Sequence, residues 1–146
     1  MKIETSNQIV SRTGVLYDSG TMYAPLTLSN ATNGSSYITV KYTGNDGRVY
    51  YNGRLSDFGT SWTRINVTMR FVSRDDDRTD LTLEVSNTTN VFTNMPSRTD
   101  YHAVGQLQSS FSSCYCTIST SIPYFTIHLG SYGYSATAYV QKIWLS

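Results

Sequence analysis

Alternation with a period of two runs through most of the chain. In "SYITVKYTG", Ile38, Val40 and Tyr42 fall on one side, with Thr39 and Lys41 on the other. In "RINVTMRFV", Ile65, Val67, Met69 and Phe71 alternate with Arg64, Asn66, Thr68 and Arg70. Such alternation marks strands that bury one face and wet the other, the habit of antiparallel sheets. "LTLEVSN" repeats it with Leu81, Leu83 and Val85. "YFTIHLG" sets Phe125, Ile127 and Leu129 against Tyr124, Thr126 and His128. "YHAVGQLQSSF" and "CYCTIST" read as further strands. No long window holds apolar residues at helical spacing, so no helix is expected.

Turns punctuate these runs. Asp46-Gly47 in "NDG" predicts a hairpin joining the 38–42 strand to "RVYYNGR", because Gly tolerates the positive φ of a tight turn. "SRDDDRTD" reads as a solvated hairpin turn, and residues 87–100 as a long connection crossing between sheets. In the last strand, "TAYVQKIWLS", strict alternation puts Val140 and Trp144 on one face and Tyr139, Ile143 and Leu145 on the other. Apolar residues on both faces suit a central strand or one meeting another subunit. In "VLYDSGTMYAPLTLS", Leu16, Leu26 and Leu28 are core candidates. About nine or ten strands spaced roughly 8–12 residues apart predict an all-β, jelly-roll-like antiparallel sandwich in a single domain, residues 1–146. Residues 1–13 read as a linker or shaft remnant.

Composition narrows the function. Charged residues make up 14 % and the formal net charge is +1, which argues against a nucleic-acid partner. Aromatic content of 13 %, with 12 tyrosines, argues against disorder. No run approaches the roughly 18 apolar residues of a membrane helix, so membrane insertion is not expected. The opening "MKIETSNQIV" lacks the apolar core of a signal peptide.

Catalytic chemistry finds little support. Asp75, Asp76, Asp77 and Asp80 lack the spacing and glycine of a calcium loop, and Arg74 and Arg78 flank them. Cys114 and Cys116, two apart on one strand face, are read as reduced and buried rather than bridged. With His102 and His128 they do not have zinc-ligand spacing. His128 reads as a surface or interface residue. No nucleophile elbow, dinucleotide loop or P-loop is present. The expectation is therefore no enzyme, no metal and no cofactor. Sequons at Asn30, Asn33, Asn66 and Asn87 are near chance for so Asn-, Ser- and Thr-rich a chain.

Aromatic rings stack on the apolar face of a sugar, and Asn, Asp and Arg bond its hydroxyls. The candidate ligand-binding residues are Tyr132 and Tyr134 in the Gly-flanked "GSYGYSATAY" turn, Tyr51, Arg48 and Arg54 in "RVYYNGR", and Trp62 after "DFGTS".

The two ends of the chain resemble the C-terminal receptor-binding domains of bacteriophage and prophage tail fibres and tail tips. The matching positions are Leu16, Tyr17, Gly20, Leu26, Leu28, Ser29, Tyr37, Ile38, Val40 and Tyr42, then Tyr139, Lys142, Ile143 and Trp144. The resemblance implies a homotrimeric fibre head at the virion tip, assembled in the host cytoplasm. Its partner would be a bacterial surface polysaccharide, teichoic acid or another host receptor. It transfers no catalytic residue. The alternatives are a structural or decoration protein of the virion, and an attachment head or lectin of a eukaryotic virus.

Overall fold

The computed structural model describes residues 4–88, 98–119 and 124–146. Its strands are β1 (Val15–Asp18), β2 (Thr21–Met22), β3 (Leu26–Ser29), β4 (Ala31–Asn33), β5 (Ile38–Tyr42) and β6 (Gly47–Tyr51). They continue as β7 (Arg64–Arg74), β8 (Asp80–Ser86), β9 (Arg98–Val104), β10 (Ser112–Thr117), β11 (Tyr124–Gly130) and β12 (Ala136–Leu145). Two antiparallel sheets form a sandwich. The seven-stranded sheet runs β10–β7–β12–β1–β2, with β5 beside the first half of β12 and β4 outside β5. The five-stranded sheet runs β3–β6–β11–β8–β9.

The alternating apolar positions meet between the sheets. Ile65, Val67, Met69 and Phe71 from β7 and Ile38 and Val40 from β5 are fully buried. Val49 from β6, Leu81, Leu83 and Val85 from β8, and Phe125, Ile127 and Leu129 from β11 are likewise fully buried. Burying each such side chain contributes about 1.5–3 kcal/mol. Leu16 and Leu26 join this core, while Leu28 packs against it half-buried. Cys114 and Cys116 are both free, half-buried and buried respectively, on the inner side of β10.

The turns behave differently from expectation. "NDG" does not close a hairpin: β5 lies in the seven-stranded sheet and β6 in the five-stranded one. The positive φ falls on Gly44, at +81°, not on Gly47. Gly47 serves close approach instead, since a Cβ there would run into the Lys41 carbonyl oxygen and the Val40 side chain. "SRDDDRTD" likewise carries the chain from β7 across to β8, and the 131–135 turn from β11 back to β12. Conversely, β8 and β9 pair within one sheet, from Leu81 opposite Val104 to Ser86 opposite Arg98. The connection expected to cross sheets therefore does not. Its residues 89–97 lie outside the described residues.

Two further corrections concern the ends. A helix, α1 (Ser6–Thr13), occupies the stretch read as linker. Thr5 and Gln8 form a capping box, Gly14 ends the helix at φ +76°, and Val10 is fully buried. A short 3-10 turn spans Leu55–Phe58. In β12 a register shift between Val140 and Lys142 resets the alternation. Val140, Ile143 and Leu145 therefore all point into the core, while Tyr139 and Trp144 remain half-buried on the outer side. A bulge adds one unpaired residue and so changes which side chains share a face. β12 is central, flanked by β7 on one side and by β5 and β1 on the other.

Candidate functional site

The outer side of the seven-stranded sheet collects aromatic rings in two groups. Registration defines the first: Tyr115 of β10 lies opposite Asn66, Asn66 opposite Trp144, and Trp144 opposite Val15. Four ladder positions further along, once the bulge is discounted, Arg70 faces Tyr139 and Tyr139 faces Thr39. At a strand rise of about 3.3 Å per residue, the two rows stand roughly 13 Å apart. Tyr37 stacks on Tyr139 with centroids 4.2 Å apart and planes 27° from parallel, and Phe111 tilts against Tyr37 at 6.1 Å. The neighbouring Tyr139 phenol holds the Tyr37 hydroxyl above its ordinary range.

Between the rows the surface is polar. Thr68 and Ser113 share a hydrogen bond of 2.8 Å across β7 and β10. Lys142 stands 5.1 Å from the Trp144 ring and Arg64 4.1 Å from Tyr115. The Asn66 amide donates to the Trp144 carbonyl at 3.0 Å and to Ser146 Oγ at 3.1 Å, pinning the end of β12 beneath Trp144. Two open hollows of about 310 and 300 Å³ share Thr39, the second bordered by Tyr37, and carry hydroxyls and amides from Asn30, Thr32, Ser35 and Ser36. Stacking platforms beside polar groups are what a flat, hydroxylated ligand needs.

The six residues picked from the sequence fall into four groups with different partners. Tyr134 and Tyr132 are 84 % and 51 % exposed, on a braced turn. Asp75 accepts hydrogen bonds from the backbone amides of Tyr134 and Ser135. Thr79 Oγ1 donates to the Tyr132 carbonyl, and the Arg78 guanidinium covers the Tyr132 ring at 4.3 Å. Gly133, at φ +84°, leaves room for the Asp75 carboxylate that a Cβ would displace.

Tyr51, picked as a ligand contact, lies in the core. It is 8 % exposed, packs on Phe58 and donates to Asp57 at 2.7 Å. Burial, followed by the Asp57 bond, pushes its hydroxyl up to about 12. Trp62 is half-buried and donates from Nε1 to the Phe58 carbonyl at 2.7 Å. The cleft beside it holds only about 10 Å³, room for a water at most. Arg54 lies 5.6 Å from the Tyr124 ring. Arg48 pairs with Asp46 at 3.0 Å, and Asp46 also meets His128 Nε2 at 2.8 Å.

Sequence reading did not select Tyr37, Phe111, Tyr115, Tyr139 or Trp144 as site residues. The signal was present as aromatics at polar-face positions of strands, but the β12 bulge separated Tyr139 from Trp144 on a strict count.

Among the described residues, no group of three or more His, Cys, Asp or Glu stands close enough to hold a metal. Burial pushes the thiols of Cys114 and Cys116 up to about 11 and about 12, which leaves both protonated and weakly nucleophilic at neutral pH.

No family model matches the chain, and no curated protein matches it. Among solved structures, it is similar to a family 11 carbohydrate-binding module from Clostridium thermocellum in complex with a β-1,3-1,4-mixed-linked tetrasaccharide. The likeness has a TM-score of 0.48 at 11 % identity, covering 82 % of this chain and 80 % of that one.

Proposed function

We propose that this sandwich binds polysaccharide, without catalysis, on the outer face of the seven-stranded sheet. The observation that carries this reading is the aromatic platform: Tyr37 on Tyr139 with Phe111 beside them, and Trp144 with Tyr115 about 13 Å away across a hydroxyl-lined floor. Pyranose rings present C–H faces to such side chains, while Thr39, Thr68, Ser113 and Asn30 are placed for their hydroxyls. The rigid sheet fixes the platform before any ligand arrives, which limits the entropy lost on binding.

In its finer form, the proposal is a homotrimeric tip of a phage tail fibre that adsorbs to a bacterial surface glycan. Its support is the resemblance at both chain ends, whose residues Tyr37, Tyr139, Lys142 and Trp144 fall on this same face. Affinity electrophoresis against a panel of soluble polysaccharides tests the general reading. At least one polymer should retard the native protein, and Tyr37→Ala with Tyr139→Ala should release it. Unchanged retardation of that double variant moves the site elsewhere. Fluorescent protein that stains whole bacteria, and fails to stain once surface glycan is stripped, supports the adsorption role. A monomeric mass by light scattering removes the trimer.

A further inference from the structure

The chain has 11 Lys and Arg residues against 10 Asp and Glu, and their pairing is uneven. Arg12, Arg48, Arg78 and Arg98 each meet a carboxylate, and none of them is carried by a strand of the seven-stranded sheet. Lys41, Arg64, Arg70 and Lys142 all project from that face. All ten acidic side chains belong to the described residues, yet none forms an ion pair with these four. Asp18, opposite Lys142 at the sheet's β1 side, is the acid nearest in register, and it accepts from Ser19 Oγ at 2.8 Å.

The cations are interleaved with the rings. Arg64 lies over Tyr115, Lys142 beside Trp144, and Arg70 opposite Tyr139, its Nε donating to the Gln108 carbonyl at 3.0 Å. Lys41 extends from β5 at the hollow lined by Asn30, Thr32 and Thr39, one hollow over from Tyr37. A ligand that lays a ring on an aromatic here brings the ring's substituents within reach of a positive charge. The pattern repeats at both ends of the platform.

From this we infer that the face selects acidic polysaccharides, in which the stacking ring and the anionic group belong to the same repeating unit. The inference rests on the glycan-binding reading above. A guanidinium takes a carboxylate or phosphate oxygen pair in a planar fork, and a lysine takes either as a point charge. Four cations on a chain of net charge +1 make a local complement to such a polymer, not the broad basic surface of a nucleic-acid binder.

The test compares matched polymers by affinity electrophoresis and calorimetry on the native protein. The probes are polygalacturonate, the same polymer with its carboxyls reduced to alcohols, a phosphodiester-linked glycan and oligothymidylate. The expected result is roughly tenfold or greater preference for an acidic polymer over the neutral one, shrinking as salt rises. The two acidic arms tell carboxylate from phosphate. Arg64→Gln with Lys142→Gln, both at solvent-facing positions, should bring acidic-polymer affinity down to that of the neutral polymer. Equal binding of the acidic and neutral polymers overturns the charge selection and leaves glycan binding standing. No binding to any glycan removes both readings. Tightest binding to oligothymidylate overturns the inference in favour of single-stranded nucleic acid. A double variant that keeps the preference overturns the assignment to these cations.

Discussion

The two outer faces of the sandwich use similar side chains in opposite ways. On the five-stranded sheet, polar groups are buried and turned on one another. Glu84 is 1 % exposed and accepts from Arg98 at 3.2 Å and from Thr82 at 3.1 Å. His128, Asp46 and Arg48 form a second chain of contacts, and Thr126 is wholly buried between them. On the seven-stranded sheet, aromatic and cationic groups stay at the surface, and Lys41, Arg64, Arg70 and Lys142 form no ion pair. Charge satisfied inside the protein stiffens it and is unavailable to a ligand. Charge left unpaired beside flat rings is available for binding, at little cost to a core that does not depend on it.

That contrast breaks most visibly at Arg98. Arg98→Ala leaves Glu84 buried without its counter-ion, and removing one partner of a buried pair costs about 3 kcal/mol or more. Urea unfolding should show that loss, while the folded protein keeps its polysaccharide affinity. A fall in affinity with no fall in stability would mean that the two faces are not separate in role.

The converse test is Trp144→Ala. It should cost about 2 kcal/mol of binding, roughly thirtyfold in Kd by titration calorimetry, as expected when an aromatic anchor is truncated. The urea midpoint should move little by comparison, because the indole is only half-buried.

A third measurement isolates the interior shared by both faces. Tyr51 has its hydroxyl raised from 10 to about 12 by burial and the Asp57 bond. Above pH 10 the unfolded chain loses this proton first. Stability is thus complete below pH 10 and declines by about 1.4 kcal/mol per unit towards pH 12. Tyr51→Phe should flatten that decline, measured by urea unfolding across the alkaline range.

The smallest effect belongs to the polar floor of the platform. Thr68→Ala removes one cross-strand hydroxyl pair and should cost about 0.5 kcal/mol of stability. A loss several times larger would show that this surface is structurally committed, like its counterpart on the other sheet.

The strands and most of the core were legible because burial on one side forces alternation. Ile65, Val67, Met69 and Phe71 are buried as their spacing requires. Sheet membership was not legible. A residue that faces the core does so identically from either sheet, so "NDG" looks the same as a hairpin and as a corner between layers. The helix at Ser6–Thr13 had readable signals in Thr5, Gln8 and Gly14, but its short apolar stripe, with Val10 as its one buried residue, was outweighed by its polar neighbours. The platform stayed hidden for another reason. It is assembled from β5, β7, β10 and β12, which lie up to a hundred residues apart, and one bulge breaks the count that would have joined Tyr139 to Trp144. Tyr132 and Tyr134 were correctly placed at the surface by their glycines, but they stand outside that assembly.

The position of β12 has a consequence for how the molecule is made. Every strand of the five-stranded sheet lies between Leu26 and Gly130, whereas the middle of the seven-stranded sheet comes last in the order of synthesis. Until β12 arrives, β7, β5 and β1 have no common neighbour, and their unpaired edges are open to the same strands of other nascent chains. Val15 finds its partner only when Trp144 has been made, and such long-range pairing is slow. The residue at one end of the platform therefore also belongs to the strand that closes the larger sheet, so the aromatic face takes shape only as folding is completed.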